Sequence, residues 1–257
     1  MTSADMLLRF LGVGGSAGMD QGSASAVLEI AGDPALLIDC GQETPQRFQA
    51  RYGRLPPAVF ITHAHMDHVS GLEPLFFSAW FDRSEPAPVR LFVPVDVLAL
   101  VQQRIVIEAS PLAEGGVNFW DAFHLAPVAQ GFWWREHWFD VLPVRHHRPG
   151  FAFGLRLEGR FVYTGDTRPI PELLEAQAGG NELVFHDCRP DGNPSHSGWD
   201  DLCREYPPEL LARIRTYHYG TAADAEKMQA LGARIAVAGE GYPLPPAEPR
   251  DRPPAVP

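Results

Sequence analysis

His63-Ala64-His65-Met66-Asp67-His68 places three imidazoles and a carboxylate within six positions. Imidazole nitrogen and carboxylate oxygen are the donors that zinc and comparable divalent ions accept at neutral pH. The cluster follows the apolar run Ala58-Val59-Phe60-Ile61, which reads as a buried strand, so a strand delivers these donors into a loop. In an extended backbone, residues two apart face the same side. His63 and His65 can therefore share one cation, while Asp67 and His68, beyond the start of the turn, can face a second. A lone His-x-His is more often an ordinary exposed loop; the added Asp-His after a buried strand favours ligation.

The arrangement recurs along the chain. Asp39 follows Ala35-Leu36-Leu37-Ile38, and His146-His147 follows the strand pattern from Phe139 to Val144. Asp166 follows Arg160 to Thr164, His186-Asp187 follows Leu183-Val184-Phe185, and His218 follows Ile214 to Tyr217. One polar residue at a strand end usually caps a turn. Six of them imply that one edge of a sheet collects them into a single cleft. If Val144 faces the core, alternation puts His146 on that side as the better ligand and His147 on the solvent side. Ser195-His196-Ser197 precedes a helix pattern from Trp199 to Tyr206, and its histidine is either a helix-capping residue or a second functional group.

The elements that must position these residues alternate between strand and helix. Leu7 to Leu11 is a strand running into Gly12-Val13-Gly14-Gly15, which lacks the helix signal of a dinucleotide fingerprint and reads as a tight connection near a site. Ala26 to Ile30 and Ala35 to Ile38 form a hairpin around Gly32-Asp33-Pro34. Helices are expected over Gln42 to Arg54, Leu72 to Phe81 and Val95 to Ile107, with a strand at Leu91-Phe92-Val93. Phe151 to Leu157 and Arg160 to Thr164 form a second hairpin, and Ile235 to Ala238 a last strand. Phe119, Trp120, Phe123, Phe132, Trp133, Trp134, Trp138 and Phe139 crowd into one stretch, as core, as a contact within a homodimer, or as an aromatic rim stacking on a ring near the metals. Residues 1–242 are expected to be one domain, and 243–257, proline-rich and charged, a mobile tail.

Composition narrows the classes. A formal net charge of −11 over 257 residues disfavours a long nucleic-acid footprint. A small anionic, phosphate-containing substrate is still compatible, because bound dications reverse the local field. No run of about 18 apolar residues is present to cross a membrane, and Met6 to Leu11 is too short for a signal peptide, so a cytoplasmic protein is expected. Cys40, Cys188 and Cys203 are odd in number and imply no disulfide framework or cysteine metal knuckle.

Asp39, the His63 to His68 cluster, His146, Asp166 and His218 match, in chain order, the five motifs of the metallo-β-lactamase superfamily, which the sequence resembles from about residue 7 to 240. The resemblance implies an αββα sandwich: two mixed β-sheets face to face, with helices outside. It implies that His63, His65 and His146 hold one divalent metal ion and Asp67, His68 and His218 another, with Asp166 bridging and Asp39 supporting from behind. Zn2+ is the expected ion, with Mn2+ or Fe2+ as alternatives. Phe10-Leu11-Gly12-x-Gly14-Gly15, Asp39-Cys40-Gly41, Thr62-His63-x-His65-Met66-Asp67-His68-Val69 and Pro143-Val144-x-His146 are similar to the phosphodiesterase branch that includes ribonuclease Z. Ribonuclease Z carries a long tRNA-gripping insertion before the bridging Asp. Here only about twenty residues separate His146 from Asp166, which argues against tRNA maturation.

The implied reaction is hydrolysis of a small or cyclic phosphodiester by a metal-bridging hydroxide, two ions about 3.5–4 Å apart neutralising the phosphoryl oxygens. Asp67 is read as catalytic as well as ligating. His196 is the candidate acid for the leaving alkoxide, with Asp187 orienting it or pairing with His186 in a structural role. Two other classes stand beside this one: hydrolysis of a thioester, lactone or related carbonyl substrate, and a non-hydrolytic metal-binding or di-iron redox protein.

Overall fold

In a computed structural model of the chain, which describes residues 5–16, 18–82 and 88–246, the apolar runs become the strands of two sheets. The first half of the chain supplies β1 (Met6–Gly12), β2 (Ser25–Ile30), β3 (Asp33–Ile38), β4 (Ala58–Phe60), β5 (Val89–Pro94) and β6 (Phe123–Val128). The second half supplies β7 (Gly131–Trp134), β8 (His137–Pro143), β9 (Phe153–Leu157), β10 (Phe161–Tyr163), β11 (Leu183–Asp187) and β12 (Ile214–Tyr217). A final strand, β13 (Gly241–Pro243), returns to the first sheet, whose order is β13-β1-β2-β3-β4-β5-β6; the second runs β12-β11-β10-β9-β8-β7.

Both sheets are mixed. β13, β1, β2 and β3 pair antiparallel and β3 to β6 parallel; β7 to β10 pair antiparallel and β10 to β12 parallel. Parallel strands need long crossovers, which cover the sheet faces and bury the strands on both sides. That is why Ala58-Val59-Phe60 and Phe161-Val162-Tyr163 are continuous apolar runs, every residue buried. The crossovers are α1 (Thr44–Tyr52), α2 (Met66–Val69), α3 (Leu72–Phe81), α4 (Val95–Val101), which continues through a π-helical turn at Gln102–Val106 into α5 (Ile107–Ala109), and, in the second half, α6 (Pro171–Gln177), α7 (Trp199–Glu205), α8 (Pro208–Leu211) and α9 (Ala222–Ala230). α1 begins with a proline in its first turn and stops at Gly53, whose φ of 70° supplies the left-handed cap.

Two aromatic clusters join the sheets. Phe10 of β1 lies 5.4 and 5.5 Å, centroid to centroid, from Phe185 of β11 and Tyr217 of β12. Phe132 of β7 stacks on Phe92 of β5 at 4.0 Å and on Phe139 of β8 at 5.2 Å. The sandwich is thus the expected αββα arrangement of the metallo-β-lactamase fold.

Two expectations are revised, and one open alternative is decided. Ile235 to Ala238 is no full strand: Ile235 makes a single parallel bridge to Thr216 of the second sheet, with Ala236 N donating to Thr216 O, and by Gly239, whose N donates to Phe10 O, the chain has reached the first. The boundary at 242 falls inside β13, and Leu244, buried, donates its N–H to Met6 O; residues 247–257 of the expected tail lie outside the described residues. The aromatic stretch is chiefly core. Phe119, Phe123, Phe132 and Phe139 are buried, the first two beneath α3 with Phe76. Trp133 and Trp138 form an exposed edge-to-face pair. None of these rings lines the cleft described next, so the aromatic rim is not built. Among the described residues no helix is long and apolar enough to cross a membrane.

Candidate metal centre

The strand ends that carry polar residues converge at one rim of the sandwich. Asp39 leaves β3, His63 and His65 leave β4, His146 leaves β8, Asp166 leaves β10, Asp187 ends β11 and His218 leaves β12. They meet where strands run out of their sheets, as ligand sites do in open α/β sheets. His65 is the last extended residue before α2, and the single turn that follows swings Asp67 and His68 round to the second group. Arg104, from the π-helical turn, donates Nη1 to Ala64 O at 3.0 Å and holds the loop between His63 and His65.

His63, His65, His146 and Asp166 form one group and Asp67, His68, Asp166 and His218 another; within each, one ligand atom per residue lies within 4.8 Å of the others. Asp166 belongs to both. His146 is buried beside His65, whereas His147 is exposed.

The hydrogen bonds fix which nitrogens are free. His146 Nδ1 donates to Ser195 O at 2.8 Å. Thr62 Oγ1 donates its one proton to Asp39, so His63 Nδ1 donates to Thr62 Oγ1 at 3.0 Å. His68 Nδ1 donates to Asp39 Oδ2 at 2.8 Å. Each bond occupies Nδ1 and turns Nε2 inward. His65 Nδ1 then sits 3.0 Å from His63 Nε2 and 3.1 Å from His146 Nε2, a convergence of lone pairs that one proton cannot satisfy. His68 Nε2 and Asp166 Oδ1, fully buried, have no hydrogen-bond partner. Orphaned inward donors of this kind are the signature of a cation site, and the residues fit two divalent ions.

Electrostatics divide the groups. Burial, then the neighbouring His68, hold His63 well below the usual imidazole range, and burial, then His146, push His65 down to about 4. Burial also works against charge on His68 and His218, but Asp166 overrides it with help from Asp39 and Asp67 at His68 and from Asp187 at His218, holding His68 well up and His218 at about 10. Burial likewise opposes charge on Asp67 and Asp166, and the imidazoles prevail: both carboxyls are held below the ordinary range, His68 being the chief cause at Asp67 and His218 at Asp166.

Asp39 is wholly buried at a φ of 62°, a left-handed conformation that Asp tolerates better than most residues. It takes the Thr62 N–H at 2.8 Å as well as His68. Gly15 lies against His218, where a Cβ would come within 2.6 Å of Cε1, so the glycine-rich turn borders the site.

His186 and Asp187 part company. His186 donates Nδ1 to the Asp187 carbonyl and accepts at Nε2 from Tyr206 at 2.7 Å, away from the cleft. Asp187 Oδ2 accepts from His196 Nδ1 and from Thr167 N, each at 2.8 Å, while Oδ1 lies 3.4 Å from His218 Nδ1. His196 therefore stands in the cleft oriented by a buried carboxylate. Asn193 is a supporting residue the sequence did not signal: its Oδ1 accepts from the N–H of both Ser195 and His196. The cleft measures about 710 Å³. A cavity of similar size, lined by Arg54, Trp80 and Arg90 at the opposite ends of the strands, contains none of these residues.

A family model described as anti-Pycsar protein Apyc1 matches residues 6–242. The chain belongs to that family. The anti-Pycsar protein Apyc1 of Paenibacillus harenae is 28% identical over 229 residues, covering 85% of this chain and 92% of that protein. A ribonuclease Z of Mycobacterium marinum is 25% identical over 244 residues, covering 90% and 82%. The crystal structure of a new diphosphatase from the PhnP family superposes with a TM-score of 0.73 at 20% identity, covering 93% of this chain and 99% of that one, a likeness of fold. This Apyc1-family chain is accordingly a metallo-β-lactamase-fold hydrolase of the ribonuclease Z-like branch, metal-dependent and acting on a small or cyclic phosphodiester.

Proposed function

We propose that the chain hydrolyses a cyclic nucleotide, with Zn2+ as the ion at both positions. His63, His65, His146 and Asp166 would hold the first ion, and Asp67, His68, His218 and the shared Asp166 the second. When bound, such a pair supplies Lewis-acid activation of water and neutralises charge on the phosphoryl group. Asp39, Thr62 and Ser195 hold the imidazole tautomers that leave the inward nitrogens free. His196, bonded through Nδ1 to Asp187, presents Nε2 to the cleft and gives its proton to the departing alkoxide. Water oxygen joins phosphorus as the ester P–O bond breaks, the alkoxide takes the His196 proton and leaves as an alcohol, and the proton that water gives up passes to solvent, from which His196 is restored.

The observation that carries this reading is the His196–Asp187 pair beside Asp166. An aryl or thiolate leaving group needs no proton donor, whereas a ribose alkoxide does. The purified protein, assayed against cyclic nucleotides, bis-p-nitrophenyl phosphate, a thioester and a lactone, is expected to cleave the phosphodiesters and leave the carbonyl substrates. Turnover confined to the thioester or lactone would overturn it, and metal uptake with no hydrolysis of any of them would favour a binding or redox role.

A further inference from the structure

Beyond the ligand cluster, the cleft continues along a wall formed by Ser16 and Ser23 of the β1–β2 connection and by Gln42, Glu43 and Arg47 at the start of α1. A cleft of about 710 Å³ has room for a whole small ligand, not only its phosphate. Arg47 is the one arginine or lysine among its lining residues. Its Nη1 donates to Leu11 O at 2.7 Å, and its guanidinium lies against Gly22, where any Cβ would collide with it. Among the described residues no carboxylate pairs with Arg47. Glu43, one helical turn earlier, is engaged elsewhere: it accepts from Ser23 N at Oε1 and from Ser23 Oγ at Oε2. Arg47 is thus a planar cation anchored by one donor, with further donors left for whatever occupies the cleft.

We infer that Arg47 reads the base of the substrate, donating to a carbonyl oxygen and the adjacent ring nitrogen, as cytosine offers at O2 and N3 and guanine at O6 and N7. The inference rests on the cyclic-nucleotide reading above. The phosphate is met by the Asp and His cluster and by His196, whereas Arg47 is anchored on β1 and the β1–β2 connection, which carry none of those side chains. Adenine sets an amino donor beside N7, so a guanidinium meets one acceptor and one opposing donor there.

The test compares Arg47→Lys and Arg47→Met with the unaltered protein. Steady-state kinetics are read on cyclic nucleotides bearing cytosine, guanine or adenine and on bis-p-nitrophenyl phosphate. Calorimetric binding of the matching nucleoside monophosphates and metal content are measured alongside. In both variants KM for the cytosine and guanine substrates should rise roughly 10–100-fold, the span of one bidentate base contact, with kcat nearly kept. The adenine substrate should lose much less, and the base-free diester and the metal content should not change. Lysine should not rescue, because an ammonium lacks the two-pronged planar donor. Equal losses with and without a base, equal losses for adenine, full rescue by lysine, or no change in any of them would each overturn the assignment. A protein that cleaves no phosphodiester would instead refute the activity proposed above, while monophosphate binding would still report on Arg47.

Discussion

The two halves of the metal cluster are built from different materials. Around His63, His65 and His146 the donors are three imidazoles and the shared Asp166, and the groups behind them are neutral: Thr62 Oγ1 and the Ser195 carbonyl. Around His68 and His218 there are two carboxylates, Asp67 and Asp166, and the groups behind are carboxylates again, Asp39 and Asp187. The first half is a set of neutral imidazoles kept unprotonated by burial. The second is acid-rich, with imidazoles whose protonated form the surrounding carboxylates favour. Asp187 extends the acidic half to His196, so that one buried side chain faces both His218 and the proposed proton donor.

The largest expected effect comes from breaking what the halves share. Asp166→Ala should empty both positions and abolish turnover, as elemental analysis and an aryl diester assay would show; retention of both ions would mean that Asp166 bridges nothing. His146→Ala should empty only the imidazole-rich position, and His147→Ala neither. The reverse pair of results would place the loop one residue out of register.

A smaller loss is expected at His196, the proposed proton donor. His196→Ala should lower kcat for substrates with an alkoxide leaving group by about 10²–10⁴-fold, with metal content intact and little effect on p-nitrophenolate release. Equal losses on both substrate types would assign His196 to positioning alone.

Replacing the outer partners sharpens the contrast further. Asp39→Asn keeps a side chain that tolerates the left-handed backbone but removes the charge behind His68. It should weaken the acid-rich position about 10–100-fold, and Thr62→Val, which also loses a bond to Asp39, should weaken the imidazole-rich one less. Equal effects in competitive chelation would remove the asymmetry.

The smallest effect is a proton count. Metal ligation requires neutral imidazole. At pH 7 His218, held at about 10 without metal, carries its proton, whereas His65, at about 4, does not. Filling the acid-rich position should therefore release protons and filling the other should release none, a difference read by calorimetry in buffers of different ionisation enthalpy. The His218 part of that release should fade as pH rises past about 10.

The ligand cluster could be read from the chain because each donor follows its own apolar strand, and strand, turn and donor are contiguous in sequence. Elements whose identity depends on distant partners could not. Gly241-Tyr242-Pro243 carries one large apolar side chain and a proline, yet it is a strand because it completes the edge beside β1. Ile235 to Ala238 has the better strand composition and forms only one bridge, at Ile235, because the chain then leaves Thr216 for the first sheet, where Gly239 N donates to Phe10 O. The aromatic stretch was ambiguous for a chemical reason: a phenyl or indole ring serves a core and a ligand rim equally well, and only packing on Phe60, Phe76 and Phe92 decides. Asn193 and Arg47 left no signal, because a polar loop residue and a charge on an amphipathic helix are unremarkable until the fold brings them to the cleft.

Phosphodiester hydrolysis is expected to require both halves of the cluster to be filled. Metal-free protein titrated with zinc, with turnover of a cyclic nucleotide followed at each addition, tests it most directly. Activity should stay low through the first equivalent and climb to a plateau at the second. A plateau at one equivalent, or no turnover with two ions bound, would contradict it.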